Sequence, residues 1–280
     1  MKGAAAADGL PVPGGDAFWF PRPSGGGGAG PGEVSLFCLP HAGAGPVAFR
    51  EWSTLLDPRI EVVPVQYPGR PPRLAEPPET SLKRLALRLA GPVAERAADV
   101  PYALFGHSMG ALVAYEVACV LTRLGRPPVR LLVSGQTAPH LYRPTRVHAL
   151  SDDGLVDHIS RLEGTPKDVL ANPSLLELLL PVLRADFALC ESYVYADTPL
   201  LGAGITVLGG TDDPGVDPEL LDRWGDLTEG GCDVRVFPGG HFYLFEQQLS
   251  VLELIGPAVG VSDVPTPADR RETERRGGVR

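Results

Sequence analysis

The sequence predicts an α/β fold, a mostly parallel central sheet flanked by helices on both faces. Short β-branched apolar runs alternate with longer segments of helical periodicity along most of the chain, the pattern of repeated β-α units. The runs are almost continuously apolar, as strands covered on both faces must be. With 280 residues, 44% hydrophobic and 21% charged, the chain has the length and balance for one such domain with a sizeable core.

Buried strands are expected at residues 34–39, 60–65, 102–105, 129–134, 205–208 and 234–237. Helices are expected at 47–56, 81–98 and 111–124, the last stopped by Gly125 and Pro127-Pro128. Right-handed crossovers between parallel strands give a doubly wound sheet, with functional groups gathered at the strand C-termini. Between Ser134 and Ile205 the rhythm breaks, and helix signals occur without a strand. Ser151-Asp152-Asp153 can cap a helix running to Arg161, and Ser174-Leu175-Leu176-Glu177 reads as a capping box opening a Leu-rich helix. Pro181 either opens a further helix through Arg184, Asp186 and Phe187 to Tyr193 or kinks the preceding one. This insertion, about 140–200, is expected to lie over the strand ends as a helical lid.

The domain proper is placed at 33–261. Residues 1–32 are rich in Gly, Ala and Pro and are expected to form a flexible leader, with Phe18-Trp19-Phe20 able to pin it to the domain. Residues 262–280 are polar and expected to fray. No apolar h-region marks a signal peptide, and no run reaches the ~18 apolar residues of a membrane helix. The four cysteines (Cys38, Cys119, Cys190, Cys232) lie far apart without CxxC or His partners, which speaks against zinc and disulfides and for reduced thiols in a cytoplasmic protein. A net charge of −9 without a basic stripe argues against nucleic acid as a partner. A soluble monomer is the resulting expectation.

Gly106-His107-Ser108-Met109-Gly110 carries the chemistry. A bare GxSxG is weak in a chain with 34 glycines. Here it follows a short apolar strand and opens a long apolar helix, the setting of a nucleophile elbow. The chain turns so sharply there that only Gly fits at the flanking positions, and the Ser108 side chain is left exposed where the helix N-terminus favours negative charge. A neutral serine needs a base, and the base an acid that fixes its tautomer. In this arrangement the partners follow in the order Ser, Asp or Glu, His. Of six histidines only His241 lies in the last stretch, on the Gly-rich loop after the final strand. The acid is read as Asp212, after the strand at 205–208, with Asp213 second and otherwise a turn residue. For the oxyanion, one backbone N–H is expected from Met109. The other is expected from the loop Leu39-Pro40-His41-Ala42-Gly43-Ala44-Gly45, with Ala42 first and His41 or Gly43 as alternatives.

With these residues in place, the chain resembles the type II thioesterases that accompany polyketide and non-ribosomal peptide synthases, which have the α/β-hydrolase fold. The likeness covers roughly residues 19 to 255. It rests on Phe37-Cys38-Leu39-Pro40-His41-Ala42-Gly43, Val65-Gln66-Tyr67-Pro68-Gly69-Arg70, the elbow from Phe105, Leu183-Arg184-Ala185-Asp186-Phe187, Gly209-Gly210-Thr211-Asp212, Trp224, and Phe237-Pro238-Gly239-Gly240-His241-Phe242. Two departures are minor: Gly43-Ala44 stands where a glycine pair is usual, and the segment after Arg70 is proline-rich. The resemblance implies hydrolysis of acyl thioesters on the phosphopantetheine arm of an acyl or peptidyl carrier protein, without metal or redox cofactor. It also implies a lid pocket, with Leu176, Leu179, Leu183 and Phe187 as lining residues. Arg70, Arg73, Arg143 and Arg146 are read as a docking patch for the acidic carrier. The rivals are a general carboxylesterase or lipase with the same triad, and a cyclising terminal thioesterase.

Overall fold

The computed structural model describes residues 16–21 and 32–261. The expected tail at 262–280 lies outside the described residues, as does the leader apart from 16–21 and Gly32. In chain order the elements are α1 (Asp16–Trp19), β1 (Val34–Leu39), α2 (Trp52–Leu55), β2 (Ile60–Pro64), α3 (Leu82–Ala97), β3 (Tyr102–His107) and α4 (Met109–Arg123). There follow β4 (Arg130–Ser134), α5 (Asp152–Arg161), α6 (Lys167–Leu170), α7 (Pro173–Glu191), β5 (Gly204–Gly210), β6 (Cys232–Phe237), α8 (Tyr243–Glu246) and α9 (Gln248–Ala258). The helix expected at 47–56 is instead a 3₁₀ turn, Pro46–Phe49, followed by the short α2.

The sheet has the order β2-β1-β3-β4-β5-β6, and every neighbouring pair is parallel. Side chains alternate between its faces with period two. Phe37, Leu39, Leu104, Leu131, Val133 and Val207 meet α3 and α4 on one side. Leu36, Cys38, Phe105, Leu132 and Leu208 meet Trp52, Leu252 and Ile255, from α2 and α9, on the other. Burial on both faces explains why the inner strands read as unbroken apolar runs. β6 departs from that expectation: Asp233, Arg235 and Val236 are exposed, because this strand is the sheet edge, and its charges discourage further pairing.

The order of connection reverses between β1 and β3. β1 leads outward to β2, and the chain then crosses back to β3, so the loops after β1 and β3 diverge and leave a crevice at their carboxyl ends. The insertion covers this crevice. Ser151 caps α5 through the amide of Gly154, as its sequence predicts. The capping box at Ser174 does not form. Asn172 takes the cap, accepting from the amides of Ser174 and Leu175, because Pro173 occupies the first helical position, where its missing N–H is harmless. α7 then continues through Pro181 as one helix. Pro181 and Glu177, whose carbonyl loses its partner, both lie on the exposed side, where water can serve the carbonyl.

Of Phe18-Trp19-Phe20, the last two anchor the described residues 16–21 to the domain, while Phe18 is exposed. Trp19 and Phe20 are buried, Phe20 packs on Phe37 with ring centroids 5.2 Å apart, and the Trp19 carbonyl accepts from Gln66 N–H at 2.8 Å. Among the described residues no helix is long and apolar enough to cross a membrane.

Candidate active site

Ser108 sits between β3 and α4 with φ 55° and ψ −118°, a strained conformation for a residue with a Cβ. Its neighbours must be glycine. A Cβ on Gly106 would lie 2.1 Å from the carbonyl oxygen of Gly110, and one on Gly110 would lie 2.1 Å from that of Leu39. The strain is held by Ser108 N–H donating to Ser134 O at 2.8 Å and by Ala111 N–H donating to Ser108 O at 2.9 Å. His107, inside the elbow, points beneath it: its Nδ1 is 3.0 Å from Ser134 Oγ, which pairs in turn with Tyr243 at 2.7 Å.

His241 lies on the loop after β6. Its Nε2 is 3.0 Å from Ser108 Oγ and its Nδ1 is 2.7 Å from Asp213 Oδ2. The preference for Asp212 is therefore corrected. Asp212 is exposed and accepts from Thr211 Oγ1, whereas Asp213 is buried against the imidazole. For Asp213 the sequence leaves two readings, the acid of the triad or a turn residue. Both readings of it hold, since Oδ1 accepts from Gly215 N–H at 2.9 Å while Oδ2 serves His241.

The loop after β1 faces Ser108 across the crevice. Gly43 donates its N–H to Asp186 Oδ2 at 2.7 Å, which removes it from the alternatives for the oxyanion. The N–H groups of Ala42 and Met109 have no acceptor among the described residues. His41 packs edge-on against Phe242 and His107. Loss of water around His41 lowers its pKa to about 3, with the charges of His241 and Arg70 adding to the effect. Burial also holds His107 well below the usual histidine range. Both rings are thus neutral at pH 7, so neither places a fixed positive charge beside His241.

A cavity of about 260 Å³ opens over Ser108 and His241. Ile159, Val169, Leu179, Leu183 and Phe187 from the lid line it, together with Ala42 and Phe242. Leu176, expected there, is half-buried and outside the lining. Phe242 also clasps the lid: a Cβ on Gly164 would fall 1.9 Å from its ring. That contact was not legible, because it depends on how the loop after α5 folds back.

Two of the four arginines read as a docking patch are not on the surface. Arg70 is 5% exposed and ion-paired with Asp186, and Arg73 is 3% exposed, paired with Glu76 and stacked 4.3 Å from the Trp19 ring centroid. Their charges are needed inside, one under the lid helix and one behind the pinned N-terminal segment. Arg143 and Arg146 are exposed.

A parallel sheet with a strained serine at its switch point, bonded to a histidine and through it to an aspartate, defines a serine hydrolase of the α/β-hydrolase fold. Residues 34–273 match the thioesterase domain family, and the chain belongs to it. It is 37% identical over 225 residues to the gramicidin S biosynthesis protein GrsT of Aneurinibacillus migulanus, covering 80% of this chain and 88% of that one. The structure is similar to that of the type II thioesterase BorB from the borrelidin biosynthetic cluster, with a TM-score of 0.79 and 36% identity over 86% of this chain and 98% of BorB. It is also similar to the RedJ thioesterase from the prodiginine pathway of Streptomyces coelicolor, with a TM-score of 0.77 and 40% identity over 86% and 93% of the two chains.

Proposed function

We propose that the protein is a type II thioesterase that hydrolyses acyl groups from the phosphopantetheine arm of acyl or peptidyl carrier proteins in polyketide or non-ribosomal peptide biosynthesis. The observation that carries this reading is the series Ser108–His241–Asp213 at the floor of a lid-covered apolar cavity. Ser108 Oγ attacks the thioester carbonyl and its proton passes to His241 Nε2, while Asp213 holds the imidazole by Nδ1 and stabilises its cation. The amides of Ala42 and Met109 receive the oxyanion. Collapse of the tetrahedral intermediate breaks the C–S bond and expels the carrier sulfur as thiolate, which takes the proton from His241 to become the thiol and leaves an acyl-Ser108 ester. Water, activated by His241, then releases the free acid and restores the serine. Each step uses the chain's own groups and requires no metal or redox cofactor.

The apolar lining suits an acyl chain, which gains by leaving water. The free thiols of Cys38, Cys119, Cys190 and Cys232 support a cytoplasmic setting, where we take the enzyme to act as a monomer. Arg143 and Arg146 remain as the proposed carrier-docking residues. The test is hydrolysis of a panel of acyl-carrier thioesters by the wild type and Ser108→Ala, beside a simple carboxylic ester. Preference for the thioesters, lost in the variant, is expected. Turnover retained by Ser108→Ala would overturn the mechanism, and preference for the simple ester would favour a general esterase.

A further inference from the structure

A buried ion pair joins the lid to the loop after β1, and the chemistry above gives it no task. Asp186, on α7, is 1% exposed and its Oδ1 lies 2.6 Å from Nη2 of Arg70. Both partners also reach the same backbone. Asp186 Oδ2 accepts from Gly43 N–H at 2.7 Å, and Arg70 Nη1 donates to the carbonyl of Ala44 at 2.7 Å. The stretch they grip is a tight turn, closed by Ala44 N–H donating to His41 O at 3.1 Å, with Gly43 at φ +77°. That φ is the value the third position of a type II turn demands, and glycine meets it without strain. α7 touches the turn a second time one helical turn earlier, where a Cβ on Gly43 would lie 2.6 Å from Leu183 Cδ2.

A buried ion pair is a poor device for stability alone, since an apolar pair of similar volume often does as well. Here both charges converge on the peptides that flank the turn holding Ala42. We propose that Asp186 and Arg70 are positioning residues for the oxyanion hole. By engaging Gly43 N–H, Asp186 fixes the plane of the peptide following Ala42, and Arg70 fixes the far end of the turn, so that Ala42 N–H faces the oxygen developing above Ser108. The hole is then complete only while α7 is seated. This rests on the serine-hydrolase chemistry proposed above.

Two charge-free pairs of similar shape separate positioning from packing. Arg70→Met with Asp186→Asn keeps an amide oxygen for Gly43 N–H, whereas Arg70→Met with Asp186→Leu does not. The readouts are melting temperature, kcat and KM on a short p-nitrophenyl ester, and affinity for a trifluoromethyl ketone whose Ser108 adduct places an oxyanion in the hole. The first pair is expected within about tenfold of wild-type kcat. The second is expected to be folded, with KM within about threefold, but with kcat and ketone affinity both lowered about 10²-fold, the loss of one oxyanion donor. Equal kcat and ketone affinity in the two pairs would overturn the proposal. Should the second pair not fold, Asp186→Asn alone decides. Its single amide oxygen goes to Arg70 and its NH₂ opposes Gly43 N–H, so wild-type kcat and ketone affinity in that variant would overturn it equally. Ester turnover dependent on Ser108, without carrier-thioester turnover in the wild type, would count against the thioesterase reading and not against this one.

Discussion

Asp213 divides its carboxylate between a turn and a base. Oδ1 holds Gly215 N–H and Oδ2 holds His241 Nδ1, while the side chain itself has no exposed surface. Asp213→Asn would present an amide NH₂ to Nδ1 and stabilise the wrong tautomer, leaving no acceptor for the Ser108 proton at Nε2. We expect kcat to fall by about 10⁴-fold in that variant, the magnitude typical of losing the orienting acid. Asp212→Asn, altering an exposed residue bonded to Thr211, should stay within about threefold of wild type. Steady-state kcat for the two variants on one ester checks the assignment, and the reverse order would restore Asp212. Adjacent aspartates could not be ranked from sequence because both follow the same strand. Which of them turns inward depends on the backbone path that Pro214 and Gly215 impose. Ser108 was legible because backbone at Gly110 and Leu39 leaves room only for glycine at 106 and 110, and His241 because it is the one histidine that follows the last strand.

The lid is tied down at both ends of α7, and each tie carries a prediction. At the start, Asn172 accepts from two helix amides, so Asn172→Ala should lower stability by about 1 kcal/mol, measured by urea denaturation. Ser174→Ala should lower it by far less, since the capping box is not formed. At the other end, Glu191, half-buried as a residue but with its side chain only 4% exposed, accepts from the amides of Val147 and His148, from Thr145 Oγ1 and from His148 Nδ1. Burial alone would raise its pKa, but these hydrogen bonds together outweigh burial and hold it below the ordinary 4.5. The folded-state value is thus lower than the unfolded one. The stabilisation is fully present above the unfolded pKa and is lost as pH falls through the folded one. Wild type and Glu191→Gln should therefore differ most in melting temperature near neutral pH and converge in acid as pH falls through the lowered folded-state pKa. A difference that grows on acidification would contradict the assignment. At this scale the inner strands were readable because both sheet faces are covered, and α4 because it is apolar nearly all round. The lid was read less well. Its boundaries turn on a choice of cap two residues apart, and its tether through Asp186 joins Arg70 across 116 positions.

Over the whole molecule, the net charge and the charge of the proposed docking residues have opposite signs. The chain carries −9, which repels an acidic carrier at long range, yet rim charges steer encounter more than the total does. The structure narrows the candidate rim. Arg70 and Arg73 are consumed inside the fold, whereas Arg143 and Arg146 stand exposed on the segment between β4 and α5. That segment is held rigidly, because Glu191 clamps Thr145, Val147 and His148, so the two guanidinium groups ride on an ordered support rather than a slack loop. Exposed charges act across about 10 Å at 0.1 M salt, within reach of a docked partner. Arg143→Glu with Arg146→Glu should raise KM for acyl-carrier substrates several-fold at low salt, with little change in kcat once the carrier saturates. The gap from wild type should close as salt is raised and screening weakens both attraction and repulsion. Turnover of a small acyl thioester lacking the carrier is the control that separates docking from chemistry. An unchanged KM for the carrier substrate at low salt would remove Arg143 and Arg146 from the docking surface.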